Sequence, residues 1–386
     1  MASGVEDPPV DDSTPDALKR EINHFPIWAP RFWHGMTLGA WARFLVENRF
    51  RVHPTRVPMA AVVSGVACLN SSLRLVQQLF YGRAIANTQI DQPPVFVLGH
   101  WRSGTTLLHE LLVLDERFAF PTTYECFGAN HFLVTGRIIP HLLWFLLPSK
   151  RPMDDMSVSF DHPQEDEFAL VSMGAPTPIL KLAFPNDPPP YLELLDMVEV
   201  REDVLRRWQE GLMHFVRAQT YLKDKPLVLK SPPHTGRIGV LAEMFPGAKF
   251  VHIVRDPYAV FSSTRRLWVA LEEAQAFQIP RHEHLDDYIF AAFERMYRGF
   301  ESQREKLGST QICDVRYEDL VRNPLEQMER VYATLELGDF EPVREQVQGY
   351  MSRKKDYQVN RHGLAPEIRD EIRRRWGGLM KKYGYS

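Results

Sequence analysis

The chain has 386 residues, 44% of them hydrophobic, which is ordinary for a protein that buries a sizeable core in one large domain or two. A formal net charge of −3 supplies no global field to hold a nucleic acid, so any anion site has to be built from a few locally placed basic residues. Cys68, Cys126 and Cys313 are odd in number, far apart and without a CxxC pair, which argues against a disulfide framework or a structural zinc site and for a reducing compartment.

Residues 1–17 are acidic and proline-rich and lack the basic and apolar regions of a secretory signal, so they read as a disordered tail. No internal repeat follows. Residues 18–386 are read as a single domain, with a helical layer over 18–92, an α/β core over 93–324 and a helical part over 325–386. Apolar residues recur at helical intervals over 38–50 and 59–85. Two apolar stretches, VPMAAVVSGVACL (57–69) and IIPHLLWFLLP (138–148), fall short of the roughly 20 residues of a bilayer span. They read as core helices, or as a surface facing lipid or a greasy acceptor, a place that suits Trp144 and Phe145.

From residue 94 the pattern changes: PVFVLGH is a short strand ending at glycine, and the helical TTLLHELLVL follows at once. Similar apolar runs recur as RFAF around Phe118, PLVLK (226–230), KFVHIV (249–254) and QICDV (311–315), with helices expected over 205–221, 284–307, 325–337 and 366–383. Strands alternating with helices imply a three-layer α/β fold, a parallel sheet flanked by helices, with ligands bound beyond the carboxyl ends of the strands.

The loop GHWRSGTT (99–106) has its glycines spaced as in the phosphate loop GxxxxGK[ST], between a strand and a helix. Such a backbone turns successive N–H groups toward one anion, and the helix N-terminus adds partial positive charge. Thr105 stands where a nucleotide triphosphatase carries lysine, and Arg102 is the one cation in the loop. That suits the single charge of a phosphosulfate without metal better than a magnesium-bound triphosphate.

The loop GHWRSGTTLL resembles the phosphosulfate loop of the sulfotransferases that use 3′-phosphoadenosine-5′-phosphosulfate (PAPS), in particular the bacterial and tyrosylprotein branch. PLVLKSP (226–232), KFVHIVRDPYAVFSS (249–263) and VRYEDLVRNP (315–324) resemble further family segments in the expected order. The resemblance implies a P-loop-like fold and in-line transfer of a sulfuryl group from PAPS to an acceptor hydroxyl. It places Arg102, Ser103, Gly104, Thr105 and Thr106 around the phosphosulfate, Arg255 and Ser263 on the 3′-phosphate, and Tyr317 on the adenosine. Lys230, supported by Arg102, would neutralise the leaving oxygen.

For the general base the resemblance points to Glu125, 23 positions after Arg102 in FPTTYECF, beside the aromatic Tyr124 and Phe127. Its rival is the cluster Glu165, Asp166 and Glu167 in HPQEDEFAL, which also reads as acids favoured in a first helical turn. His109 and His162 are weaker candidates, and mid-strand His252 reads as a hydrogen-bonded core residue. His282 and His284 lack a matching distant pair, so no metal is expected. Residues 360–363, from Asn360 to Gly363, are a candidate loop over the nucleotide.

The expected acceptor is a small-molecule or lipid-like hydroxyl, held by loops over 127–161 and 173–190, in a cytoplasmic enzyme with peripheral membrane contact and no nucleic-acid partner. Two other classes remain: a P-loop kinase or ATPase, and a catalytically silent nucleotide-binding protein on the same fold.

Overall fold

Val95, Phe96, Val97 and Leu98 are all buried, and successive side chains leave for opposite faces, Phe96 and Leu98 into one apolar cluster, Val95 and Val97 into another. A strand covered on both faces belongs inside a three-layer arrangement. The computed structural model, which describes residues 25–26, 28–147, 159–353 and 364–385, has that arrangement. The expected tail over 1–17 and the loop over 360–363 lie outside the described residues.

Helices α1 (Leu38–Glu47) and α2 (Val57–Asn87) precede strand β1 (Val95–Leu98). Then come α3 (Thr105–Leu112), α4 (Thr123–Phe127), α5 (Glu167–Met173), α6 (Glu202–Lys223) and β2 (Val228–Lys230). Strand β3 (Lys249–Val254) leads to α7 (Pro257–Gln275) and α8 (Leu285–Gln303), and β4 (Ile312–Arg316) to α9 (Tyr317–Arg322), α10 (Pro324–Leu335), α11 (Glu341–Arg353) and α12 (Pro366–Lys382). Among the described residues four strands form one parallel sheet in the order β2-β1-β3-β4. From β1 the chain goes to one neighbour, β2, and then to the other, β3. The carboxyl end of β1 is therefore the topological switch point, and loop 99–104 sits there.

One face of the sheet packs on Leu108 and Leu111 of α3, Met328 and Val331 of α10 and Val347 of α11. The other faces a larger cluster running from Trp33 and Trp41 through Trp208, Phe250 and Trp268 to Trp376. Asp256 caps α7 by accepting the Tyr258 N–H at 3.0 Å, with Pro257 in the first turn, which pins the turn after Arg255 by about 1 kcal/mol.

Two expectations change. The RFAF run is no strand: only Ala119 pairs, with Leu227, and Pro121 has no N–H to extend the ladder. The apolar stretch over 57–69 is not a core helix either. It is the start of the 31-residue α2, long and apolar enough by length and composition to cross a membrane, with 17% of its most apolar window buried.

Candidate active site

Loop 99–104 is bent by positive φ at Gly99 (144°), Arg102 (67°) and Gly104 (105°). A Cβ on Gly104 would lie 2.4 Å from Tyr317 Cδ2, so glycine there lets the first residue of α9 close against the loop. The first bond within α3 runs from the Leu108 N–H to the Gly104 carbonyl, and the N–H groups of Thr105, Thr106 and Leu107 precede that ladder at the positive end of the helix.

Around this loop three distant segments converge. Arg102 Nε donates to Ser263 Oγ at 2.8 Å, and Arg255 Nη1 donates to the Arg102 carbonyl at 3.1 Å. The Arg255 guanidinium lies 4.4 Å from the centre of the Tyr317 ring. Strand ends β1, β3 and β4 thus deliver Arg102, Arg255 and Tyr317 to one place. Ser103 is not among the residues facing it, because its N–H and its hydroxyl both donate to the His100 carbonyl, at 3.1 and 2.8 Å, inside the loop.

The three consecutive carboxylates at the start of α5 meet three different fates. Glu165 Oε1 accepts from Lys230 Nζ at 2.7 Å and lines the cavity described below. Asp166 is fully buried against His234 Nε2 at 2.6 Å and accepts from Ser231 Oγ at 3.1 Å. Glu167 is fully buried against Arg237 at 2.8 Å and accepts from Thr177 Oγ1 at 2.6 Å. Ser231 also accepts the Glu167 N–H at 2.9 Å, so the turn carrying Glu165 is stitched to the residue after Lys230.

Glu125 stands elsewhere. It forms a capping box with Thr122, accepting the Thr122 N–H at 2.8 Å, and an ion pair with Lys223 at 2.7 Å, and it is not among the cavity-lining residues. His162 lines the cavity, whereas His109 is 1% exposed behind the loop. His252 bonds Asp314 at 2.7 Å in the core. His282 pairs with Glu272 and Glu273, His284 is exposed, and no metal-binding group occurs among the described residues. Ser231, His234, Arg237 and Lys223 went unread in the sequence because each acts through a partner at least 64 residues away, and no local spacing announces such a pairing.

A cavity of about 940 Å³ runs past the loop; Lys230 and Ser263 are not among its lining residues and reach it through Glu165 and Arg102. At one end are Arg102, Gly104 to Thr106, Arg255 and Tyr317; Glu165 and His162 lie along it. The rest is apolar: Phe32, Phe127 and Phe168 stack near one another, with Leu69 and Leu73 of α2 and Leu143, Leu146 and Leu147 forming another wall.

Two buried histidines, His100 in the loop and His109 behind it, couple this region to pH. Burial pushes His100 down to about 4 and His109 to about 3, and the Nε2 atoms of both are buried without a hydrogen-bond partner. Because both folded values lie below the unfolded value of about 6.5, the unfolded chain binds the extra protons. Their contribution is complete above that value and is lost as pH falls toward 4. At pH 5 each is expected to cost about 2 kcal/mol, read as a lower urea midpoint than at pH 7.

Residues 93–342 match the profile of the Sulfotransferase family. The chain is 43% identical over 365 residues to the Omega-hydroxy-beta-dihydromenaquinone-9 sulfotransferase Stf3 of Mycobacterium tuberculosis and of Mycobacterium bovis, covering 95% of this chain and 94% of theirs. Its fold is similar to that of sulfotransferase STF9 from Mycobacterium avium, at 15% identity, 98% coverage of both chains and a TM-score of 0.65. Sulfotransferase STF1 from Mycobacterium tuberculosis has a TM-score of 0.57 at 18% identity, covering 84% of this chain and 85% of that one. With the loop that has threonine in place of the triphosphatase lysine, these findings set the kinase reading aside: the chain belongs to the sulfotransferase family and is an enzyme that takes the sulfuryl group of PAPS to an acceptor hydroxyl.

Proposed function

We propose that the acceptor is a hydroxylated lipid of the menaquinone class and that Glu165 is the general base. The observation that carries this reading is one cavity that begins at Arg102 and Arg255, passes Glu165 and continues between apolar walls. Arg255 and Ser263 hold the 3′-phosphate, Tyr317 lies against the adenosine, and the backbone of Gly104, Thr105 and Thr106 cradles the phosphosulfate with Arg102. When bound, PAPS supplies the activated sulfuryl group. Lys230 neutralises the leaving oxygen, and Glu165, in contact with it, accepts the hydroxyl proton.

Residues 18–386 act as a single domain in this reading, supported by the apolar cluster that links Trp33, Phe250 and Trp376. The free thiols of Cys68, Cys126 and Cys313 suit a cytoplasmic enzyme. Incubation with radiolabelled PAPS and a panel of hydroxylated menaquinones, sterols, saccharides and peptides tests the acceptor. Label is expected in the long-chain lipid alcohols; label confined to saccharides or peptides overturns the assignment.

A further inference from the structure

The exposed side of α2 is apolar in a regular way. Val62, Leu69 and Val76 follow one another at intervals of seven, and Leu75, Leu79 and Phe80 extend the same side, all of them exposed. The opposite side is tied down: Val63 and Ala67 are buried, Asn70 donates to the His34 and Met36 carbonyls, and Gln77 accepts the Leu133 N–H. A helix held along its length by one side lies flat against the protein rather than passing through a bilayer. Beside it, the short helices Ile139–Leu143 and Trp144–Leu146 expose Leu142, Trp144 and Phe145, Trp144 at 71%. Single exposed apolar residues are ordinary, but a contiguous group of this size marks a contact surface.

Two observations say what covers it. First, the surface is continuous with the acceptor end of the cavity: Leu69 belongs to both, and Leu143 and Leu146 line the cavity from the same two elements that carry the exposed residues. Second, the charge there is mainly basic. Between Glu47 and Asp91 the sequence holds five arginines and no further acid, although the whole chain is at −3; Arg51 among them pairs with Asp187. Arg43, Arg74 and Arg83 are exposed and border a second cavity of about 720 Å³ alongside α2, together with Arg207 and one acid, Glu210, of α6.

We propose that this face docks in the headgroup layer of an anionic lipid bilayer, with α2 lying in the interface plane. Apolar side chains of α2 and the aromatic pair Trp144 and Phe145 enter the acyl boundary, while arginines at the helix flank meet lipid phosphates. The acceptor then passes from the bilayer into the cavity between α2 and Ile139–Leu143 without crossing water. This rests on the lipid-acceptor reading for its purpose, but docking is measurable without any acceptor.

Cys68 is the exposed thiol on α2, whereas Cys126 and Cys313 are buried, so an environment-sensitive maleimide dye reports from this face in the full-length protein. Vesicles of phosphatidylcholine alone and of phosphatidylcholine with phosphatidylglycerol are titrated, with adenosine 3′,5′-bisphosphate binding as the check that each protein is folded. A blue shift and tighter binding to the anionic vesicles are expected. The triple variant Leu75→Gln, Leu79→Gln, Phe80→Gln is expected to lose the shift on both vesicles, and Arg74→Gln with Arg83→Gln to lose roughly fivefold in the anionic preference per arginine. Bisphosphate binding without any vesicle binding overturns the proposal. So does a dimer that the triple variant dissociates, which would give this face to a second copy. Vesicle binding as expected, with no lipid alcohol sulfated in any assay, leaves docking standing and removes the acceptor assignment instead.

Discussion

Glu165→Gln is expected to lower kcat by about 10²-fold or more, the usual scale for loss of a general base, with bisphosphate binding retained. The substitution keeps the shape and removes the carboxylate proposed as proton acceptor beside Lys230, where Glu165 Oε1 sits 2.7 Å from the ammonium. A weaker leaving-group lysine would also slow turnover, so the pH profile separates the two causes. Loss of a base abolishes the acidic limb of kcat/KM, whereas a displaced Lys230 would leave that limb in place. Glu125→Gln is the matched comparison. Its carboxylate is engaged by the Thr122 N–H and by Lys223, so the variant is expected to lose stability through the cap and ion pair, about 1 kcal/mol, with turnover near wild type. A collapse of kcat in Glu125→Gln with near-normal turnover in Glu165→Gln would return the base to Glu125.

The second large effect is structural. Arg237→Ala is expected to destabilise the fold by about 3–5 kcal/mol, read as a reduced urea midpoint at pH 7. Arg237 and Glu167 are both fully buried and joined in two places, Nη1 to Oε2 at 2.8 Å and Nη2 to Oε1 at 3.1 Å. Arg237 Nε also donates to the Leu194 carbonyl at 2.7 Å, and its guanidinium lies 4.9 Å from the centre of the Trp208 ring. Removing the cation leaves a carboxylate stranded in the core, and the loss is a large share of the 5–15 kcal/mol typical of a domain. Replacing both partners together, Arg237→Met with Glu167→Leu, is expected to recover most of it, since no charge then remains uncompensated. If the single and double variants are equally unstable, packing rather than the stranded charge is the cause.

The two effects are connected. Glu167 donates its N–H to Ser231, and Ser231 follows Lys230, so the buried pair holds the turn from which Glu165 reaches the lysine. Loosening that pair is therefore expected to cost catalysis as well as stability.

Much of this protein is local, and the local part was legible. The glycine spacing of loop 99–104, the strand before it, the Asp256-Pro257 start of α7 and the apolar periods of α6, α8 and α10 each follow from the conformational preferences of neighbouring residues. So do the strand ends that deliver Arg102, Arg255 and Tyr317. The RFAF run misled because a short apolar run satisfies a strand pattern whether or not a partner and a continuing N–H exist, and at Pro121 the N–H does not. The stretch over 57–69 left a core helix and an outward-facing apolar surface both open, since apolar composition does not say whether core or solvent faces a helix.

What the chain alone determined, then, is the α/β class, the glycine-bent loop with arginine and threonine where a triphosphatase has lysine, and the strand ends that carry Arg102, Arg255 and Tyr317 to it. Only the tertiary structure decided which carboxylate faces the cavity. Glu165, Asp166 and Glu167 are chemically near-identical neighbours, and their roles diverge because Lys230, His234 and Arg237 approach from a segment more than sixty residues away. The energy of a charge depends on what surrounds it in space, and sequence order does not carry that information.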